Sequence, residues 1–110
     1  MSKSLEVEMG SWWTRLKKIL SSGNCGKVSR VTITYDSGWG NTIYIRGEGG
    51  GLSWEKGIAM VNVTADVWEW KTCQQFDIGS FKVLINDAEY ESGENHVLIY
   101  GGEVRYSPKF

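Results

Sequence analysis

The chain has 110 residues, of which 41% are hydrophobic, and a formal net charge of −1. This length and composition predict one folded domain with a single ordinary core, and they exclude a disordered chain. Nucleic acid is disfavoured as a partner, because phosphate binding requires a concentrated basic surface and the chain has 12 Lys and Arg against 13 Asp and Glu.

Residues 1–26 are predicted to form a separate N-terminal segment that contains one short amphipathic helix. Ser11 is a suitable N-cap, and Gly23 with Gly26 would end the helix. The apolar residues at helical spacing are Trp12, Trp13, Leu16, Ile19 and Leu20. We expect this stripe to pack on the rest of the chain or to associate with a second copy or a protein partner through Trp12, Trp13, Leu16 and Leu20. Weak binding to a membrane surface is the alternative, because basic residues flank the stripe.

No apolar run in the sequence has the length of a signal peptide or of a membrane-spanning helix. The sequence therefore predicts a cytoplasmic protein with no transmembrane segment. In that compartment Cys25 and Cys73 are expected to be free, buried thiols, although a pairing between them stays open. Two Cys and one His are too few for a structural zinc site, and no cofactor is predicted.

From residue 27 to residue 110 the pattern changes to the period of two that is typical of β-strands. Strands are predicted over 28–35 and 42–46, and further short strands near 58–63, 67–72, 80–86, 96–100 and 103–106. Turn signals, most of them glycines, lie between these strands. Short strands with frequent turns and no helix between them predict an all-β domain, either an antiparallel sandwich or a barrel.

Four tryptophans are candidates either for the core or for a binding surface. Trp54 follows the glycine-rich loop 47–51, and Trp39 lies between two glycines. For each of them, stacking on a ligand and capping the core agree equally well with the sequence. Trp68 and Trp70 lie on one side of a strand whose other side is charged, which is typical of core residues.

Three further candidates follow later in the chain. Lys82 points away from the apolar side of its strand, for which a solvated lysine is the ordinary interpretation. The polar, glycine-containing segment 90–95 predicts a turn that presents Tyr90. The amide of Asn95 can donate to and accept from adjacent hydroxyl groups, although an Asn in a turn usually binds the backbone.

The order of these elements resembles the starch-binding domains of amylolytic enzymes and the related glycogen-binding modules. Those domains show a Leu-Gly-x-Trp-like element, a strand bearing Trp, a Tyr-Lys-Phe-like strand and a Trp-Glu-x-x-x-Asn-Arg turn. Leu52-Ser53-Trp54, Trp68, Phe81-Lys82-Val83 and the segment 90–96 follow the same order. The resemblance implies an immunoglobulin-like antiparallel β-sandwich over residues 27–110, with no catalytic residues.

The resemblance also implies a role for each site residue. Trp54 and Tyr90 would sandwich a turn of α-glucan of the starch or glycogen type. Lys82 and Asn95 would bind the hydroxyl groups of the sugar, and Glu91 would help to shape the turn. We therefore expect a non-enzymatic carbohydrate-binding module.

Three departures from the family pattern accompany this expectation. Tyr90 stands where the family usually has Trp, His96 stands where it has Arg, and the glycine run before Trp54 is longer. Trp39 is the candidate for a second, weaker sugar site, as in some members of the family. The alternative function is a protein-interaction module of the same fold, with the N-terminal helix as its contact surface and no sugar binding.

Overall fold

The computed structural model describes residues 25–110, so the predicted helix between residues 11 and 20 lies outside the described residues. The described part is all-β, as the sequence predicts. Its strands are β1 (Ser29–Thr34), β2 (Ile43–Glu48), β3 (Ile58–Ala59), β4 (Val61–Thr64), β5 (Val67–Thr72), β6 (Ile78–Ile85), β7 (Glu89–Tyr90), β8 (His96–Ile99) and β9 (Glu103–Tyr106).

These strands form two sheets in a sandwich. In the first sheet the order is β4-β5-β1-β9. In the second it is β3-β2-β6-β7, and β8 also pairs with β6. Strands β1 and β9 run parallel, with Arg30 opposite Glu103. The other strand pairs are antiparallel, so the predicted antiparallel sandwich is confirmed and the β1–β9 pair is its one parallel pairing among the described strands.

The core lies between the sheets and is built from side chains that alternate along each strand. Trp68 and Trp70 of β5 are 5% and 7% exposed, which confirms that they are core residues. The Trp68 indole N–H donates to the carbonyl of Tyr35 at 3.2 Å, so its polar atom is satisfied within the core. The other buried members of the cluster are Val31, Ile33, Ile43, Ile45, Met60, Phe81, Val83 and Leu98.

The single strand predicted over 58–63 is in fact two strands in different sheets. Strand β3 pairs with β2, whereas β4 pairs with β5. Between them Met60 is 4% exposed and donates its backbone N–H to the carbonyl of Ile43 at 2.9 Å. The chain therefore crosses from the second sheet to the first while the Met60 side chain fills the core.

Cys25 and Cys73 form a disulfide, so the prediction of free, buried thiols is wrong. Antiparallel pairing of Ser29 with Thr72 brings the two cysteines together, with their Cα atoms 5.0 Å apart. Cys25 and Cys73 are both exposed. Disulfides persist mainly in oxidising compartments, which argues against the predicted cytoplasmic setting. Among residues 25–110, no helix has the length and hydrophobicity needed to cross a membrane.

Replacing both cysteines with Ser is expected to lower the free energy of unfolding by about 2–4 kcal/mol. The bond joins residues 48 positions apart, so it removes much conformational entropy from the unfolded chain. Urea unfolding of the variant and of the oxidised wild-type protein measures the difference. Equal unfolding midpoints would contradict the prediction, and unfolding of the reduced wild type serves as the control.

Candidate functional site

Three of the predicted site residues lie on or beside the outer face of the second sheet. Side chains of paired residues point to the same side of a sheet. Arg46 of β2 is paired with Lys82 of β6, and Leu84 of β6 is paired with Tyr90 of β7. Lys82 and Tyr90 therefore share a surface with Arg46, which the sequence analysis did not single out, and the loop after β2 brings Trp54 to the same place.

Arg46 joins the Trp54 loop to Tyr90. Its Nη1 donates to the Trp54 carbonyl at 3.1 Å and to the Tyr90 hydroxyl at 3.2 Å. Its Nε donates to Oδ1 of Asp87 at 2.8 Å, and its Nη2 donates to the Asp87 carbonyl at 3.1 Å. The guanidinium also lies 5.7 Å from the centroid of the Tyr90 ring. One side chain therefore links the backbone of Trp54 to the hydroxyl of Tyr90, the two predicted stacking residues.

Trp54 is half-buried, and its indole N–H donates to Oε1 of Glu48 at 3.2 Å. The preceding turn contains three successive glycines with positive φ, including Gly50 at 66°, a conformation that other residues adopt at a cost. A Cβ on Gly50 would lie 3.0 Å from Thr72 Cγ2, so the turn also packs closely on β5. The glycine run therefore folds this loop back onto the sandwich and places Trp54 beside β2.

Asp87 binds the C-terminal end of the Trp54 loop, at Gly57. Its Oδ2 accepts from the backbone N–H of Gly57 at 3.2 Å. A Cβ on Gly57 would lie 2.2 Å from Oδ1 of Asp87, so a larger residue there would displace the Asp87 carboxylate. The hydrogen bond from Arg46 lowers the pKa of Asp87, and the Gly57 N–H adds to this effect against the opposing effect of burial.

The lowered pKa of Asp87 predicts an acid transition at the Gly57 amide. The stability that the Asp87 carboxylate contributes is fully present above the ordinary Asp pKa and is lost as pH falls through the lowered value. The Gly57 amide resonance in a ¹H–¹⁵N spectrum should therefore titrate with a midpoint below the ordinary value of about 3.9. In Asp87→Asn this transition should be absent, and a wild-type midpoint at or above the ordinary value would disprove the interpretation.

Lys82 is half-buried and turned towards the segment after β7. Its Nζ donates to the Glu91 carbonyl at 3.1 Å. An ammonium group has three protons, so donors remain on Lys82 for a ligand on the outer face. The ordinary interpretation of a freely solvated lysine is thus replaced by a lysine anchored to the predicted turn.

Glu91 lies beneath the turn rather than on the outer face, and it is 3% exposed. Its Oε2 accepts from the Val83 backbone N–H at 2.8 Å and from the Tyr106 hydroxyl at 2.6 Å. Its Oε1 lies 2.9 Å from Nε2 of His96. Burial, with a contribution from Glu91, raises the pKa of Tyr106 well above its usual range. Glu91 therefore acts as an anchor for the turn, and its carboxylate is turned away from any ligand on the outer face.

The turn from Ser92 to Asn95 projects from the edge of β6. Ser92 donates both its backbone N–H and its hydroxyl to the carbonyl of Lys109, at 2.7 Å and 2.9 Å. Asn95 is exposed and immediately precedes His96, which is paired with Phe81 next to Lys82. The structure therefore places Asn95 in the turn that adjoins Lys82, with its side chain accessible.

Trp39 is fully exposed on the loop between β1 and β2. The loop is internally bonded, since the Asn41 side chain donates to the Ser37 carbonyl at 2.7 Å. Trp39 lines a groove of about 310 Å³ together with Asn62 and other residues. Asn86 donates to the Asn41 side chain at 2.9 Å, so the turn that contains Asp87 connects this loop to the Arg46 cluster.

The comparisons with known proteins show a likeness of fold. A glycoside hydrolase family 15 glucoamylase from Hypocrea jecorina matches with a TM-score of 0.61 and 13% sequence identity, covering 89% of this chain and 20% of the glucoamylase chain. The chain spans about a fifth of that protein's length, and at this identity the match shows the fold alone. No family model and no curated protein matches the sequence.

Sequence reasoning missed Arg46, Glu48 and Asp87. A charged residue that alternates with core residues is normally solvated, and Arg46 gave no other signal. The outward orientation of Arg46 can nevertheless be predicted from the sequence, because Arg46 and Tyr44 alternate with the core residues of β2. Asp87 follows Asn86 in a turn where both residues have positive φ, 56° and 55°, and this conformation is typical of tight hairpin turns.

Among residues 25–110, no group of acidic, Cys or His side chains is arranged to hold a metal ion.

Proposed function

We propose that residues 27–110 form a carbohydrate-binding module that binds α-glucan of the starch or glycogen type. The observation that carries the proposal is the connection of Trp54, Tyr90 and Lys82 through Arg46 and the Glu91 carbonyl on one side of the second sheet. Two aromatic rings with hydrogen-bonding groups at their edges suit the apolar faces and peripheral hydroxyl groups of glucose units. The resemblance to starch-binding domains and the likeness of fold to a glucoamylase support this class of ligand.

In the proposed complex the glucan lies across Trp54 and Tyr90. Tyr90 is 44% exposed, so part of its ring can contact a sugar without rearrangement. Lys82 and Asn95 donate to hydroxyl groups, and Glu48 holds the indole of Trp54 through one carboxylate oxygen while its second oxygen can accept from a hydroxyl. Trp39 provides a second, weaker stacking surface on its own loop.

The expected affinity is modest. Burial of ~150–250 Å² of ring at ~25 cal/mol/Å² contributes roughly 4–6 kcal/mol. Hydrogen bonds add to this and ordering of the glucan opposes it, which leaves about −5 to −7 kcal/mol, or a Kd of roughly 10–200 μM.

The module is proposed to be non-catalytic. A glycosidase needs one carboxyl group that can donate a proton, and such a group has a raised pKa. On this face the pKa of Asp87 is lowered by its bond to Arg46, and Glu48 is bound to the Trp54 indole. Both carboxylates are engaged in holding the stacking residues.

Calorimetric titration of the full chain with β-cyclodextrin tests the proposal, with maltoheptaose as a linear α-glucan and cellohexaose as a β-linked control. We expect saturable binding of both α-glucans in the range given above and no binding of cellohexaose. Trp39→Ala should reduce the stoichiometry and retain the tighter site. Absence of binding to either α-glucan at millimolar concentration would refute the proposal and favour the protein-interaction module.

A further inference from the structure

Three aliphatic side chains form an exposed cluster on the outer face of the second sheet, and we call this cluster the aliphatic patch. Ile78 is 68% exposed, and Val97 and Ile99 are each 60% exposed. Ile78 of β6 is paired directly with Ile99 of β8, and Val97 is paired with Ser80. The inward residue between them, Leu98, is 2% exposed and belongs to the core. Contiguous exposed apolar surface on a sheet face is where a further segment or partner can pack.

The first described residues contact Tyr100, at the end of the strand that carries part of the aliphatic patch. The disulfide to Cys73 fixes the position of Cys25. A Cβ on Gly26 would lie 3.4 Å from the hydroxyl oxygen of Tyr100, and Nζ of Lys27 lies 5.7 Å from the centroid of the Tyr100 ring. Tyr100 directly follows Ile99 of the patch. Cys25 therefore lies at the end of the sandwich where the patch is exposed.

The preceding sequence has the composition and the reach to cover the patch. Residues 12–20 contain two Trp, two Leu and one Ile, and four residues separate Leu20 from Cys25. A connection of that length spans at most ~16–18 Å when fully extended, which is enough for a neighbouring surface and too short for the far end of the sandwich. The basic residues interspersed in the segment match exposed carboxylates beside the patch, namely Asp77, which precedes Ile78, and Glu48, which is paired with Ser80.

We propose that residues 12–20 of this chain dock on the aliphatic patch of the same molecule, with the rings of Trp12 and Trp13 against Ile78 and Ile99. The docked segment would border the candidate site, because Ser80 lies between the patch and Glu48. This inference does not depend on glucan binding, since the apolar contact forms with or without a ligand.

Methyl spectroscopy of the full chain with ¹³C-labelled isoleucine methyl groups tests the docking. Indole rings displace the resonances of methyl groups that they contact. In Trp12→Ala/Trp13→Ala, the methyl resonances of Ile78 and Ile99 should move more than that of Ile58, which is exposed on β3 at the opposite edge of the sheet. Trp39→Ala is the matched control, because it removes an exposed ring at the other end of β1.

Each outcome decides the proposal. Unmoved Ile78 and Ile99 resonances in the double variant would overturn it, as would equal movement in Trp39→Ala. Resonance shifts that disappear when the wild-type protein is diluted would show that the segment of a second copy occupies the patch, which also overturns it. Leu16→Asp provides an independent second variant, in which the same two resonances should move. If β-cyclodextrin does not bind, the expected shifts of the Ile78 and Ile99 methyl resonances stay the same.

Discussion

Replacing Trp54 with Ala is expected to weaken β-cyclodextrin binding by about 30–150-fold, which corresponds to about 2–3 kcal/mol. Trp54 supplies the larger of the two stacking rings, and its position is set by the bonds to Glu48 and Arg46. Arg46 contacts the Trp54 backbone carbonyl, which Ala retains, so the loop should keep its place while the ring is lost. Calorimetric titration of the variant against the wild type measures the change.

Two comparisons separate a lost ring from a disturbed loop. Trp54→Phe retains an aromatic face and should recover part of the affinity. Tyr90→Phe keeps the second ring but removes the hydroxyl that accepts from Arg46, so a fall in affinity there reports positioning rather than stacking. Unaltered binding by a folded Trp54→Ala protein would exclude Trp54 from the site.

Replacing Glu91 with Ala is expected to lower the free energy of unfolding by about 3–5 kcal/mol. The change leaves the buried Val83 N–H and the Tyr106 hydroxyl without their acceptor, and it also removes the partner of His96. Urea unfolding monitored by tryptophan fluorescence measures the loss.

The controls for Glu91 follow from its two carboxylate oxygens. Glu91→Gln preserves the shape and one acceptor oxygen, so it should destabilise the protein less than Ala does. Tyr106→Phe removes one donor without leaving a cavity and should cost about 1 kcal/mol. An Ala variant as stable as the wild type would mean that Glu91 does not anchor the turn.

The period of two predicted most of the strands and the core, because alternation reports directly which side of a strand is buried; it did not predict the short strand β7. It also predicted that Trp68 and Trp70 face inward. The crossing at Met60 had no such signal, since an apolar residue continues the pattern whether its strand stays in one sheet or changes to the other. The disulfide was missed for a related reason, because the distance between Cys25 and Cys73 is set by the pairing of β1 with β5.

The candidate site was predictable only in part. Trp54, Lys82 and Tyr90 were singled out because their types and order resemble a known family. Arg46 and Asp87 were not, because their importance comes from partners that are distant in sequence. Arg46 lies 41 positions from Asp87 and 44 from Tyr90, and only the pairing of β2 with β6 and of β6 with β7 brings them together.

The parallel pairing of β1 with β9 has a consequence for the synthesis of the chain. Strand β1 leaves the ribosome first among the described strands, yet its neighbour β9 is made last. Until β9 is made, the edge of β1 that includes Val31 and Ile33 has no paired strand, because residues 103–106 supply that neighbour. Nascent or truncated chains that end before β9 should therefore expose a strand edge prone to association.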